Sequence, residues 1–114
     1  MIQVDIDRFG DHRRNFYDTD WKLLGFTWSA WNRKGPLWPN GQPVERPAQL
    51  EEMIQVARTL AAEFDYIRVD LFNLEGKVYF GELTLHHGGG WERFDPPEYD
   101  RAFGDKLDLK RDPR

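Results

Sequence analysis

The segment Arg68-Val-Asp-Leu-Phe-Asn-Leu-Glu-Gly-Lys-Val-Tyr-Phe-Gly-Glu82-Leu-Thr84 constrains the fold of this chain more than any other. It has the pattern of a β-hairpin that carries acidic groups on one face. A buried strand face tolerates charge poorly. Carboxylates at Asp70 and Glu82, each set among Val, Leu, Phe and Tyr, therefore call for a compensating cation. A divalent metal is the natural candidate.

Register decides whether the two carboxylates share a face. Strand side chains alternate with period two, so Asp70 and Glu82 lie on one side only where paired positions sum to an even number. A two-residue turn at Glu75-Gly76 gives an odd sum and requires positive φ at Glu75, a poor residue for that conformation. A loop of Leu74, Glu75 and Gly76, with Gly76 left-handed as a bulge, avoids the strain. It pairs Asn73 with Lys77, Arg68 with Glu82 and Asp70 with Phe80. Asp70 and Glu82 then become diagonal neighbours at roughly 7 Å between Cβ atoms, which one or two hard cations can bridge. Arg68 and Thr84 join them, with Phe72, Val78 and Phe80 beside the acidic groups. The opposite face, with Ile67, Val69, Leu71, Tyr79, Leu83 and Leu85, is the expected core. The same alternation also suits an ordinary half-exposed hairpin in which Arg68 and Glu82 form a cross-strand ion pair.

The helix is the firmest element. Leu50, Met53, Ile54, Ala57, Leu60, Ala61 and Phe64 fall on one stripe at helical spacing, with Glu51, Glu52, Gln55, Arg58 and Glu63 elsewhere. Pro47 suits the first turn, and Glu51 and Glu52 suit the positive end of the helix dipole. This helix is expected to cover the apolar face of the hairpin and leave the face of Asp70 and Glu82 open as a cleft. Ile2, Val4 and Ile6 alternate with Gln3, Asp5 and Asp7 as a strand ending near Gly10, and Arg14 to Tyr17 returns as a second short strand. Gly88 to Gly90 permits close backbone approach to a ligand, and Pro96-Pro97-Glu98 opens a short helix through Phe103, stopped at Gly104.

Residues 18–46 hold Gly, Pro and Trp21, Trp28, Trp31 and Trp38, the pattern of an irregular, Trp-rich excursion. Indole rings can stack on the apolar faces of sugars, or simply cover the core of a small domain. The chain of 114 residues is expected to form a single α+β domain, an antiparallel sheet with one main helix packed on one face and a frayed tail at 110–114. A net charge of -4 argues against nucleic acid as a partner. The absence of cysteine excludes disulfides and thiolate metal sites and fits a cytoplasmic location. No apolar run approaches the length of a membrane span.

Beyond these local patterns, the run Arg68-Val-Asp-Leu-Phe, a short turn, then Val-Tyr-Phe-Gly-Glu82-Leu-Thr84 resembles the metal-binding hairpin of the ATP-grasp ligases. Asp7-Arg8-Phe9, His12, Arg14, Phe16-Tyr17-Asp18 and Trp21 are similar to the TupA-like branch of that superfamily, named for teichuronopeptide biosynthesis. Pro47, Leu50, Met53 and Ile54, then Gly88 to Gly90, Pro97, Asp100 and Gly104-Asp105 continue the pattern nearly to the end.

The resemblance implies the C-terminal part of an ATP-grasp fold. Asp70 and Glu82 would hold Mg²⁺ against the ATP phosphates, with Arg68 catalytic and Thr84 reaching a metal-bound water. Thr84 stands where most ATP-grasp enzymes have Asn, and this weakens the implied second metal site. Adjacent His86 and His87 point to opposite faces if they continue the strand, one polar and one packed. The nucleotide-gripping lysines and hinge of the superfamily lie N-terminal to the region resembled. The implied function is thus the metal-binding portion of an ATP-dependent carboxylate-amine ligase in cell-surface polysaccharide or peptide-polysaccharide assembly. Such a portion is inactive alone and apt to self-associate or take up a partner half. Its partners would be ATP, a carboxylate and an amine. A non-catalytic glycan-binding module and a split subunit are the alternatives.

Overall fold

The computed structural model describes residues 1–108, and the expected frayed tail at 110–114 lies outside the described residues. In chain order the elements are β1 (Ile2–Ile6), β2 (Arg13–Tyr17), β3 (Thr27–Ser29), β4 (Trp31–Asn32) and β5 (Gly35–Pro36), then α1 (Leu50–Ala61), β6 (Arg68–Leu74), β7 (Lys77–Thr84), β8 (Arg93–Asp95) and α2 (Glu98–Gly104). The class is α+β, and every sheet is an antiparallel pair: β1 with β2, β3 with β8, β4 with β5 and β6 with β7. The chain divides into two compact units. One combines Met1–Arg46 with Gly88–Ala102; the other combines Pro47–His87 with the segment from Phe103.

In the first unit the core is aromatic. Phe16 and Tyr17 are buried at the end of β2, with Phe26 and Phe94. Phe16 stacks on Phe26 at 4.9 Å, and Trp28 stacks on Phe94 at 4.5 Å across the β3–β8 pair. The excursion over 18–46 contains the short strands β3, β4 and β5, and its later part is tied to β2 by hydrogen bonds. Arg14 donates its backbone N–H to Pro39 O, Asn15 Nδ2 donates to Gln42 O, and Gly41 N donates back to Asn15 Oδ1. Val44 N donates to the Tyr17 hydroxyl, and Trp21 Nε1 donates to Val44 O. Asn15 is fully buried, so these bonds satisfy an amide that would otherwise be left unpaired at a cost of about 1–3 kcal/mol.

In the second unit α1 begins where Leu50 N bonds to Pro47 O, with Glu51 and Glu52 in its first turn, and Leu50 is its buried residue. The helix ends at Ala61, short of Phe64, because the chain tightens there with Ala62 N bonding to Thr59 O and Phe64 N to Ala61 O. α1 packs along β6, and Asn73 Nδ2 donates to Gln49 Oε1 at 2.8 Å, which marks the Val69, Leu71 and Asn73 side of β6 as the helix side. Coverage stops at β6. Tyr79, Leu83 and Leu85, expected in a core, are all exposed. A single helix cannot shield both strands of a twisted pair.

The hairpin itself corrects the expected register. The turn is the two-residue one, with φ of 51° at Glu75 and 77° at Gly76, and Leu74 pairs with Lys77. Glu75 takes up the left-handed conformation that glutamate disfavours. From Leu71–Phe80 to Leu74–Lys77 the paired positions follow the odd-sum register; between Asp70 and Leu71 the register shifts, and Asp70 pairs with Glu82 directly. The shift occurs at Gly81, the residue left over between Phe80 and Glu82. Tyr79 pairs with Phe72 and so belongs to the face of Asp70, whereas Val78 and Phe80 pair with Asn73 and Leu71 on the helix side.

Candidate functional site

Arg68, Asp70, Glu82 and Thr84 converge on one face of the β6–β7 hairpin. Arg68 pairs with Thr84, and Asp70 with Glu82, so the four alternate across two rungs of the ladder. The guanidinium lies among the other three. Arg68 Nε donates to Asp70 Oδ1 at 2.7 Å and Nη2 to Asp70 Oδ2 at 3.0 Å, a two-pronged bond. Nη2 also donates to Glu82 Oε1 at 3.0 Å and to the Thr84 hydroxyl at 3.3 Å, and Thr84 in turn donates to Glu82 Oε1 at 3.0 Å. Partial burial works against the charged guanidinium. Hydrogen bonds and the negative charges of Asp70 and Glu82 outweigh it and raise the Arg68 pKa above the ordinary arginine value. Arg68 is therefore a fixed positive charge throughout the working pH range.

The compensating cation demanded by two opposed carboxylates is thus an arginine of the same hairpin. The Glu82 side chain is 63% exposed, and its Oε2 has no hydrogen-bond partner among the described residues. Among the described residues no group of three or more His, Cys, Asp or Glu converges as a metal cage. Two hard carboxylates suit a Mg²⁺ ion that keeps its waters and brings phosphate oxygens with it, and do not suit one held by protein alone. The donor set of Asp70, Glu82 and the Thr84 hydroxyl is of the hard-oxygen kind that such an ion takes, with both Asp70 oxygens engaged by Arg68.

His86 is exposed and His87 buried, both beyond the end of β7, and His87 Nδ1 lies 2.7 Å from the Tyr66 hydroxyl. Neither histidine belongs to the acidic face. The glycine run adopts positive φ at Gly88, Gly89 and Gly90. Of these, Gly88 packs on the Glu92 side chain, where a Cβ would fall 2.5 Å from Glu92 Cγ.

A second charged cluster in the first unit escapes sequence reasoning as a set. Arg14, with 7% of its side chain exposed, donates to Asp5 Oδ1 at 2.9 Å, to both Glu92 oxygens at 3.2 Å and to Trp28 O at 3.2 Å. Its guanidinium also lies over the Trp38 ring, 4.4 Å from the centroid. His12 Nε2 shares Asp5 Oδ1 at 2.8 Å. Burial alone would raise the Asp5 pKa, but hydrogen bonds from Arg14, Gln3 and His12, with the Arg14 charge, bring it below the ordinary aspartate value. Asp5 and Arg14 face each other across the β1–β2 pair, which the alternation of the two strands could have shown. Glu92 is distant in sequence and carries no local signal. The cluster satisfies its own charges and serves as structure.

The tryptophans are also used internally. Trp21 stacks on Tyr17 at 4.2 Å, Trp28 on Phe94, Arg93 lies over Trp31 at 4.2 Å, and Trp38 lies beneath Arg14 and beside His12. Trp91, in contrast, is 88% exposed.

An α+β chain of paired strands, with Arg, Asp, Glu and Thr gathered on one face of a helix-backed hairpin, defines the class. A sequence model of the TupA-like ATP-grasp family matches residues 1–108, nearly the whole chain, and the protein belongs to that family. No curated protein and no solved structure gives a match. No helix among the described residues is long and apolar enough to cross a membrane.

Proposed function

We propose that the acidic hairpin is the metal- and phosphate-binding part of an ATP-dependent carboxylate-amine ligase acting in cell-surface polysaccharide or peptide-polysaccharide assembly. The observation that carries this reading is the placement of Asp70 directly opposite Glu82 with Arg68 between them, in a chain of ATP-grasp ancestry. When bound, Mg²⁺ would neutralise phosphate charge and polarise the phosphorus for attack by a carboxylate. Asp70 and Glu82 would hold it, and the Thr84 hydroxyl would orient one of its waters. Arg68 holds a permanent charge beside Asp70 and Glu82 and would stabilise the negative charge that accumulates during phosphoryl transfer. Attack would release ADP and leave an acyl phosphate, whose acyl group would pass to an amine with release of inorganic phosphate.

Glycan binding through the tryptophan cluster is the weaker reading, since Trp21, Trp28, Trp31 and Trp38 each stack on a residue of the chain itself. Positioning supplies much of phosphoryl-transfer catalysis, and one hairpin cannot enclose a nucleotide, so turnover requires a nucleotide-gripping half beside this one. Calorimetric titration of the chain with ATP and magnesium tests the assignment. Weak, magnesium-dependent binding without phosphate release is expected, and Asp70→Asn should abolish it. Binding that ignores both magnesium and Asp70→Asn would refute the assignment, as would rapid hydrolysis by the chain alone.

A further inference from the structure

We infer that Gly81 is the positioning residue of the acidic face: it steps out of the β6–β7 ladder and thereby holds Glu82 opposite Asp70. The turn at Glu75–Gly76 launches the two strands in the odd-sum register, with Leu74 facing Lys77 and Phe72 facing Tyr79. Continued to the strand ends, that register would set Asp70 against Gly81, Glu82 against Val69 and Thr84 against Ile67. Glu82 and Thr84 would then point to the helix side, away from Arg68 and Asp70. The observed pairs are instead Asp70 with Glu82 and Arg68 with Thr84, because one unpaired residue is absorbed at Gly81.

Sterics explain why that residue is glycine. A Cβ at position 81 would lie 2.8 Å from Phe72 Cε2, 3.0 Å from the Asp70 carbonyl oxygen and 3.4 Å from Asp70 Cβ. The Phe72 ring is exposed and can swing away. The Asp70 carbonyl is backbone at the very residue whose carboxylate binds Arg68, so it cannot yield without moving the site. A β-branched side chain at position 81 would press further on that carbonyl and would favour the regular, unbulged ladder. Conversely, deleting Gly81 removes the surplus residue and leaves a regular hairpin in which Asp70 still faces Glu82. The pairing stands on geometry alone, whereas its value for phosphoryl transfer rests on the function proposed above.

The chain has no cysteine, so engineered disulfides can report the register on a clean background. Val69→Cys and Leu83→Cys replace a cross-strand pair that leaves the acidic face untouched. Oxidation of the full chain carrying both is expected to cross-link it readily. Adding Gly81→Val should abolish the cross-link, because a one-residue slip turns position 83 to the opposite face, where two cysteines cannot be bridged. Adding the deletion of Gly81 instead should keep it, which separates a lost register from a failure to fold. A cross-link that survives Gly81→Val, or one that disappears on deletion of Gly81, overturns the inference. Neither readout involves nucleotide, so a failure here is distinct from a failure of the ligase assignment.

Discussion

Asp70 faces Glu82 across the β6–β7 ladder, and one guanidinium, that of Arg68, donates to both carboxylates. Like charges directly opposed on a sheet destabilise it, so this pair exists only with a cation between or beside it. Arginine supplies that cation within the hairpin and leaves the exposed edge of Glu82 facing outward.

Glu82→Gln should separate fold from activity. The side chain is largely exposed, so thermal stability should change by no more than about 0.5 kcal/mol. In an assembly completed by a nucleotide-binding half, ATP-dependent ligation should fall by about 10²–10³-fold, the scale for losing one charge-stabilising group. Steady-state rates at saturating magnesium check this, and near-normal turnover would remove Glu82 from the site.

Arg68→Ala leaves the two carboxylates without their internal counter-charge. A loss on the order of 1 kcal/mol is expected, since the variant gives up the half-buried two-pronged bond to Asp70 as well as the cross-strand contact with Glu82. Because the remaining acids form a better cation site than before, magnesium should raise the melting temperature of this variant more than that of the parent. Differential scanning fluorimetry at matched ionic strength provides the comparison. Equal magnesium responses would mean that Asp70 and Glu82 do not act on a common cation.

Asp5 predicts the acid limb of stability. Its folded pKa lies below the ordinary aspartate value, so the stabilisation is present above about pH 4 and is lost as pH falls through the folded pKa. Asp5→Asn should lower stability at neutral pH and flatten the decline between neutral and acid pH. Denaturant melts across that range measure both, and an unchanged acid limb in Asp5→Asn would place its cause elsewhere.

Exposed apolar residues of the hairpin and of the chain flanking it, among them Phe64, Phe72, Leu74, Tyr79, Phe80, Leu83 and Leu85, should drive self-association. Light scattering of the purified chain should show mass rising with concentration, and Phe80→Lys should reduce it. A strictly monomeric parent at high concentration would show that this surface is not adhesive.

Much of this arrangement is legible in the sequence, though not always for the right reason. The stripe from Leu50 to Ala61 marks the helix because its period is local, and the alternation on either side of Glu75-Gly76 marks the hairpin. The co-facing of Asp70 and Glu82 was expected from a three-residue loop that would have spared Glu75 its positive φ. The structure accepts that strain and restores the phase later, at Gly81. Propensity at one turn residue is a small term, and ladder pairing over many rungs outweighs it. Tyr79 and Phe80 consequently exchange faces relative to the expectation. The link from Arg14 to Glu92 was hidden altogether, since nothing local connects residues so far apart.

The first unit is interrupted in sequence by the second, and this sets an order of assembly. β8 and Glu92 arrive only after Pro47–His87 has been made, yet β3 needs β8 as its partner and the buried Arg14 takes Glu92 as a second carboxylate beside Asp5. During synthesis β3 must wait, with Trp28 lacking its Phe94 neighbour, while α1 and the tightly turned hairpin already hold their sequence-local contacts. The α1 and β6–β7 part of the second unit is therefore positioned to form before β8 completes the first.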